Sequence, residues 1–326
     1  WNVYPKDVLP MWVADMDVRS PQAVIDALKR RVSTGVYGYP LDSKELAEVV
    51  VERMQERYGW AISPEDILFV PGVVSGFNLA AQAFTPPGSS LLVQTPVYPP
   101  ILHAHENALA RGIFNDLIHR EDGSYDIDFD AFEQEIAEDT RTFILCNPHN
   151  PVGRVFTQKE LEKLAELCLR HHVVIISDEI HSDLVYSGHS HIPIASLSRE
   201  IEKETITLIA PSKTFNIAGL DCSFIICTDA EKRNQLEKAR RGLLGHVNIM
   251  GLTAALAAYR EGQDWLDQLM VELEENRHFV SDFVTNHLPG IRMGLPEGTY
   301  LAWLDCRGLT LPQDPYHFFL ERARVA

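Results

Sequence analysis

The chain has no apolar run that approaches the roughly 20 residues a membrane-crossing helix needs. Cysteine is sparse: five in 326 residues, Cys146, Cys168, Cys222, Cys227 and Cys306. Their odd number and scattered spacing give no disulfide framework and no C-x-x-C metal site, and they suit a reducing compartment. Positive charge is in short supply. With 29 Lys and Arg against 46 Asp and Glu, the net charge of −17 argues against nucleic acid or an anionic membrane as a partner. Histidines pair at His103/His105, His171/His172 and His189/His191, but no third ligand falls at a suitable spacing, so no metal is expected. Internal repeats and low-complexity tracts are absent too, which removes solenoids and disordered arrays. No secretory signal is visible, and a cytoplasmic location is expected. The chain opens at Trp1 and stops within Glu321–Ala326 as if in mid-element, so both tips are expected to be missing.

What is present is alternation. Short apolar runs take turns with amphipathic helical stretches, the pattern of an α/β protein with a mostly parallel sheet. Strands are expected at Ile67–Val70, Leu91–Gln94, Thr142–Cys146, Val173–Ser177, Thr205–Ile209 and Ser223–Cys227. Ser20 before Pro21 reads as a helix N-cap with proline in the first turn. Thr157 and Glu160 form a capping box, followed by Leu161, Leu164 and Cys168 on one face. Asp229 caps a further, charge-rich helix. Gly72 ends a strand just before a helix running to Phe84, whose first N–H groups are free to receive phosphate. A helical pattern resumes at Asn248, and 290–305 reads as strands. The length predicts two unequal domains: a large one over 34–247, and a smaller α+β one from 1–33 with 248–326.

One lysine concentrates the chemistry. Lys213 follows the apolar run Thr207-Leu208-Ile209 and Pro211-Ser212, and precedes Phe215-Asn216-Ile217-Ala218-Gly219-Leu220. A lone lysine is ordinarily a solvated surface charge. These surroundings are too apolar for that, and a desolvated amine loses its proton more readily, as an imine-forming amine must. Ser212 beside it offers a hydroxyl to a phosphate oxygen or to a turn. Asp178 ends the apolar run Val173–Ser177, where an aspartate serves either as a helix N-cap or as the partner of a buried cation. Ligands of open α/β sheets sit beyond the carboxyl ends of the strands, which favours the second role.

With these residues on the page, the chain resembles the fold-type I pyridoxal-phosphate enzymes of the aminotransferase class I/II superfamily. It is most similar to the MalY/PatB group of cystathionine β-lyases. The matching words are Pro10-Met11-Trp12-Val13-Ala14-Asp15-Met16-Asp17, Val36-Tyr37-Gly38-Tyr39, Pro71-Gly72-Val73-Val74, Thr95-Pro96-Val97-Tyr98, Asn147-Pro148-His149-Asn150-Pro151-Val152-Gly153, Ser177-Asp178-Glu179-Ile180-His181 and Ala210 to Leu220. They keep family order over nearly the whole length. The resemblance implies a three-layer α/β/α large domain with a mostly parallel sheet, plus a smaller α+β domain. It implies pyridoxal 5'-phosphate as cofactor, joined to Lys213 as a Schiff base, with Asp178 keeping the ring nitrogen protonated. It gives Tyr98 the stack on the ring, Asn150 the bond to the ring phenolate oxygen, and the loop at Val73, Val74 and Ser75 the phosphate. Ser212 also meets the phosphate, His181 lies near the phenolate oxygen, and Tyr39 is lent by the partner subunit of a homodimer. Trp12, Val13 and Ala14 line the substrate pocket. Outside the family context the same residues have plainer readings: Tyr98, Asn150 and Ser212 as turn residues, Tyr39 as a core aromatic and His181 as a structural histidine.

Two departures stand out. Relatives often carry a phosphate-clamping arginine eight positions after the lysine, where this chain has Asp221. The arginine that binds the substrate carboxylate in the family is expected beyond Ala326. The function implied is cleavage of the C–S bond of cystathionine or a related cysteine S-conjugate to thiol, pyruvate and ammonia. An aminotransferase acting on an amino acid and a 2-oxo acid is the alternative, and a regulatory protein keeping this fold is a third.

Overall fold

The computed structural model describes residues 3–326. Nine strands can be numbered along the chain: β1 Ile67–Val70, β2 Ser90–Thr95, β3 Arg111–Asp116, β4 Ile118–His119, β5 Tyr125–Asp126, β6 Thr140–Cys146, β7 Val174–Asp178, β8 Thr205–Ile209 and β9 Ser223–Ile226. Seven form one sheet in the order β1-β9-β8-β7-β6-β2-β3, and β4 pairs with β5 as a separate small hairpin. β9 runs antiparallel to both its neighbours, and every other pairing in the large sheet is parallel. The carboxyl ends of β1, β2, β6, β7 and β8 therefore all reach the same edge of the sheet.

Alternation along the strands divides the core between two faces. Leu91, Val93, Ile144, Cys146, Ile176, Ile206, Leu208 and Ile225 face one side, where the helix Val73–Phe84 covers them. Phe143, Leu145, Ile175 and Leu92 point the other way, under the helix Gln158–Arg170. Farther along that second side Phe69, Phe224 and Ile226 meet the helices Gln22–Ser33, Lys44–Tyr58 and Ile249–Glu261. A sheet buried on both faces explains why its central strands read as continuous apolar runs rather than as alternating ones.

β1 and β8 span the residues expected, and β2, β6, β7 and β9 differ by one or two at an end. The capping box forms: Thr157 Oγ1 accepts from Glu160 N, while Glu160 Oε2 accepts from Thr157 N at 2.8 Å. Asp229 caps its helix by accepting from Lys232 N at 2.9 Å. Two expectations need correction, and one strand of the large sheet was missed. Ser20 does not cap; its hydroxyl donates to Asn216 O at 2.9 Å, and Pro21 stands at the cap position without a side-chain bond. β3 was not expected, because Arg111, Gly112, Asn115 and Asp116 break the apolar pattern; as the half-exposed edge strand it needs no second buried face. The stretch 290–305 forms no strand, only the isolated bridges Arg292↔Asp305 and Val185↔Gly298. Gly290, Gly294, Pro296 and Gly298 interrupt it. Its amides dock on loops instead: Glu297 N and Gly298 N on Gly153 O at 2.7 and 2.9 Å, and Thr299 N on Leu184 O at 2.7 Å.

The helix Val73–Phe84 begins directly after β1 through Gly72, whose φ of +92° suits glycine. It lies so close to the sheet at Gly76 that a Cβ there would collide with Leu208 Cδ2 and stand 3.4 Å from Val70 Cγ2. Leu208 is fully buried. Gly76→Ala is expected to lower the free energy of unfolding by about 1–3 kcal/mol, the usual range for overpacking a filled core. Urea denaturation of the two proteins measures it.

Candidate active site

Four neighbouring parallel strands each deliver one candidate residue just past their carboxyl ends: β8 leads to Lys213, β7 ends in Asp178, β6 leads to Asn150 and β2 to Tyr98. β1 leads, through Gly72, to Val73–Ser75. The site thus sits where the fold places ligands in open α/β sheets.

Lys213 rides on a single helical turn, Pro211–Thr214, closed by a bond from Phe215 N to Pro211 O. Its Nζ donates to Ala14 O at 2.8 Å. Burial loosens its hold on the proton, although the charges of Asp15 and Asp178 pull the other way. Asp178 is 4 % exposed, and among the described residues the one hydrogen bond to its carboxyl is from Ile180 N at 3.1 Å. Burial pushes its pKa up to about 7; the Ile180 bond opposes this, Glu179 adds to it and Lys213 opposes it. This is a buried carboxyl with no ion-pair partner among the described residues.

His181, three residues on, is buried, and its Nδ1 has no protein partner. Burial, then the charge of Lys213, lowers its pKa to about 3, so the ring is neutral at physiological pH. Asn150 lies next to Tyr98: Tyr98 N donates to Asn150 O at 3.0 Å. The Asn150 side chain has no hydrogen bond among the described residues. The Tyr98 ring is partly exposed, and burial followed by the Asp178 charge raises its phenol. Val73, Val74 and Ser75 form the first turn of their helix, which has no side-chain cap, so their N–H groups remain available. Ser212 is buried with its hydroxyl unbonded among the described residues.

Of the proposed pocket wall, Ala14 is brought to Lys213 through its carbonyl, while the side chains of Trp12 and Val13 are half exposed. Tyr39 is fully exposed, in a stretch without regular structure beside exposed Val36, Tyr37 and Leu41; this chain does not fold it onto the other candidates. Asp221 takes a left-handed backbone (φ +47°) after the short turn Ala218–Leu220 and is exposed.

Two further residues join the site: Tyr300, which has no sequence signal of its own, and Asn216, which stands in the Lys213 word without an assigned role. Tyr300 donates its hydroxyl to Ala14 O at 2.7 Å, the same oxygen that receives Lys213, and its ring meets His181 edge-on at 6.0 Å. Burial raises its phenol, so it stays a donor. Asn216 Nδ2 donates to Met16 O and Val18 O at 2.8 and 2.7 Å, fastening the N-terminal segment across the lysine turn.

These features fit pyridoxal phosphate. A buried carboxyl short of a cation suits a pyridinium nitrogen. A buried imidazole nitrogen and an amide side chain, both without partners, suit ring oxygens. An uncapped helix start suits phosphate, and a desolvated lysine suits the aldehyde.

Comparison with known proteins bears on the same point. The family described as Aminotransferase class I and II matches residues 6–320. A curated relative, "Cystathionine beta-lyase PatB" of Bacillus subtilis, is 46% identical over 301 residues, covering 92% of this chain and 78% of its own. Among solved structures, a PLP-bound putative aminotransferase from Clostridium difficile superposes with a TM-score of 0.95 at 40% identity, covering 98% of this chain and 83% of that one. A PLP-bound C-S lyase from Staphylococcus hominis gives a TM-score of 0.91 at 33% identity, covering 98% and 82%. A match spanning nearly every described element, on a site whose unpaired groups suit that cofactor, shows that this chain belongs to the aminotransferase class I and II family of pyridoxal-phosphate-dependent enzymes.

Proposed function

We propose that this protein is a pyridoxal-phosphate-dependent C–S β-lyase, cleaving cystathionine or a related cysteine S-conjugate to a thiol, pyruvate and ammonia. The observation that carries the chemistry is the desolvated Lys213 amine set between Ala14 O and the buried Asp178 carboxyl. The preference for β-elimination rests on the similarity to the Bacillus subtilis cystathionine β-lyase.

Bound pyridoxal phosphate supplies an aldehyde that captures an amino group and a protonated ring that draws off an electron pair. The chain does the rest. Asp178, anionic beside a ring cation, holds the ring proton in place. Tyr98 and Asn150 fix the plane and its rotation, and the amides of Val73, Val74 and Ser75, with Ser212, take the phosphate. Lys213, with its proton affinity lowered by burial, accepts the proton from the substrate Cα. The Cβ–S bond then breaks, the sulfur leaves with the bonding pair as a thiolate, and it is protonated by the lysine or by solvent. Neutral His181 orients without adding charge, and Trp12, Val13 and Ala14 wall the substrate.

The same reading includes a cytoplasmic homodimer with shared sites. Its support is the exposed Val36–Leu41 stretch, with Tyr39 free to reach a neighbouring copy, and five unpaired cysteines. Among the described residues no helix is long and apolar enough to cross a membrane. A division into 34–247 against 1–33 with 248–326 is also part of it.

Supplied with cystathionine and no keto acid, the enzyme is expected to release pyruvate and homocysteine, measured by coupled dehydrogenase and thiol assays. Turnover that begins only when a keto acid is added identifies an aminotransferase instead. Lys213→Ala should lower kcat by at least about a thousandfold, as loss of a nucleophile and base together requires.

Asp178 makes a further prediction for the cofactor-free protein. Its carboxyl keeps a proton up to about pH 7 when folded, against an ordinary value of 3.8. Between those pH values the folded state binds the extra proton, so stability falls as pH rises. Asp178→Asn removes this dependence. The melting temperature of the variant should therefore gain on wild type from pH 4 to pH 7 and level off above. A constant difference across that range contradicts the assignment.

A further inference from the structure

Behind the site lies a buried carboxylate that the reaction scheme does not use. Asp183 follows Asp178 and His181 on the turn after β7, with its side chain 5% exposed. Arg53 Nη2 stands 2.8 Å and Arg57 Nε 3.2 Å from its Oδ1, both from the helix Lys44–Tyr58. The Arg53 guanidinium also lies over the Tyr259 ring, 4.8 Å from its centroid. The other oxygen, Oδ2, accepts from Thr214 Oγ1 at 3.0 Å. Thr214 is fully buried and is the residue next to Lys213.

We propose that Asp183, through Thr214, is the positioning element that sets Lys213 against Asp178, and that Arg53 and Arg57 hold it as an anion for that purpose. The inference rests on Lys213 being the amine that takes the cofactor.

Three observations support it. First, the lysine turn is short: four residues, closed by Phe215 N on Pro211 O and by Ile217 N on Ser212 O, which is too little regular structure to fix its orientation without contacts from outside. Second, Asp183 belongs to the same tight turn as the groups Lys213 must face. Ser182 N bonds Glu179 O at 3.0 Å and Leu184 N bonds His181 O at 2.9 Å, so a shift of Asp183 is shared with Asp178 and His181. One carboxylate thereby ties the β7 turn and the β8 turn together and references both to a long helix. Third, burial favours protonating Asp183, but the two arginines reverse this and hold it below the ordinary carboxylate range. A pair of cations is more than a surface-stabilising bridge needs; it keeps Oδ2 a strong acceptor for Thr214.

The test uses the full chain. Thr214→Val keeps the shape and removes the hydroxyl; Thr214→Ser keeps the hydroxyl. The readouts are the rate at which cofactor-free protein captures added pyridoxal phosphate, followed by visible absorbance, together with kcat, KM and the melting temperature. Thr214→Val is expected to slow capture and to lower kcat by about tenfold to a hundredfold, with KM changed by less than about threefold, since misplacing a reacting group by a fraction of an ångström has effects of that order. Thr214→Ser is expected to restore both. Capture at the wild-type rate by the valine variant, or a serine variant as slow as the valine one, overturns the proposal. Should the valine variant melt far below wild type, Arg57→Gln reads the same geometry: slowed capture supports the tie, and unchanged capture overturns it. Failure of the underlying reading looks different, because wild-type protein would then capture no cofactor on Lys213.

Discussion

A carboxyl group taken out of water at the end of a central strand governs this site. Asp178 is buried between β6 and β8, and among the described residues no cation forms an ion pair with it; Lys213 acts on it only through its charge. The same desolvation acts with opposite sign on the two groups. It raises the acid to about 7 and lowers the amine, so both are drawn toward neutrality. Two titratable groups moved toward working pH in this way are what proton-transfer chemistry requires. Neutral His181 belongs to the same pocket and the same cause, with burial driving its proton off.

The parallel sheet makes that pocket possible. Because β2, β6, β7 and β8 run the same way side by side, their carboxyl ends bring together residues far apart in the chain. Anchoring comes from behind the strand ends. Ser177 Oγ donates to Glu179 Oε1 at 2.8 Å, and His191 Nε2 lies 2.9 Å from Glu179 Oε2, which pins the backbone around Asp178. On the opposite flank Arg154 contacts Asp126, Glu160 and Glu297 at 3.1, 2.8 and 2.9 Å. Glu297 belongs to the loop that carries Tyr300, so this cluster fixes the tyrosine against the N-terminal segment. Glu160 serves twice, as cap of its helix and as one of the three carboxylates.

Much of this was legible in the sequence, and the pattern of what was not follows from range. Lys213, Asp178, Asn150 and Tyr98 stand in local words, because each must leave a buried strand in a short turn, and such turns write themselves in consecutive residues. The central strands were readable for the same reason. β3 hid because an edge strand buries only part of itself, and 290–305 misled because its apolar residues pack through loops rather than a ladder. Tyr300 and Asp183 left no local trace. The Tyr300 bond to Ala14 spans 286 positions, and the Asp183 ion pair comes from a helix more than a hundred residues upstream; contacts of that kind exist only once the chain is folded.

The Ala14 carbonyl is where the N-terminal segment, the lysine turn and the Tyr300 loop meet. Two donors converge on it, the amine of Lys213 and the hydroxyl of Tyr300. Tyr300 bonds it independently of the lysine, and Asn216 holds the next residues at Met16 O and Val18 O. The N-terminal segment is therefore secured independently of the lysine. The segment around Ala14 thus has anchors other than Lys213, and those anchors are long-range contacts invisible to local pattern.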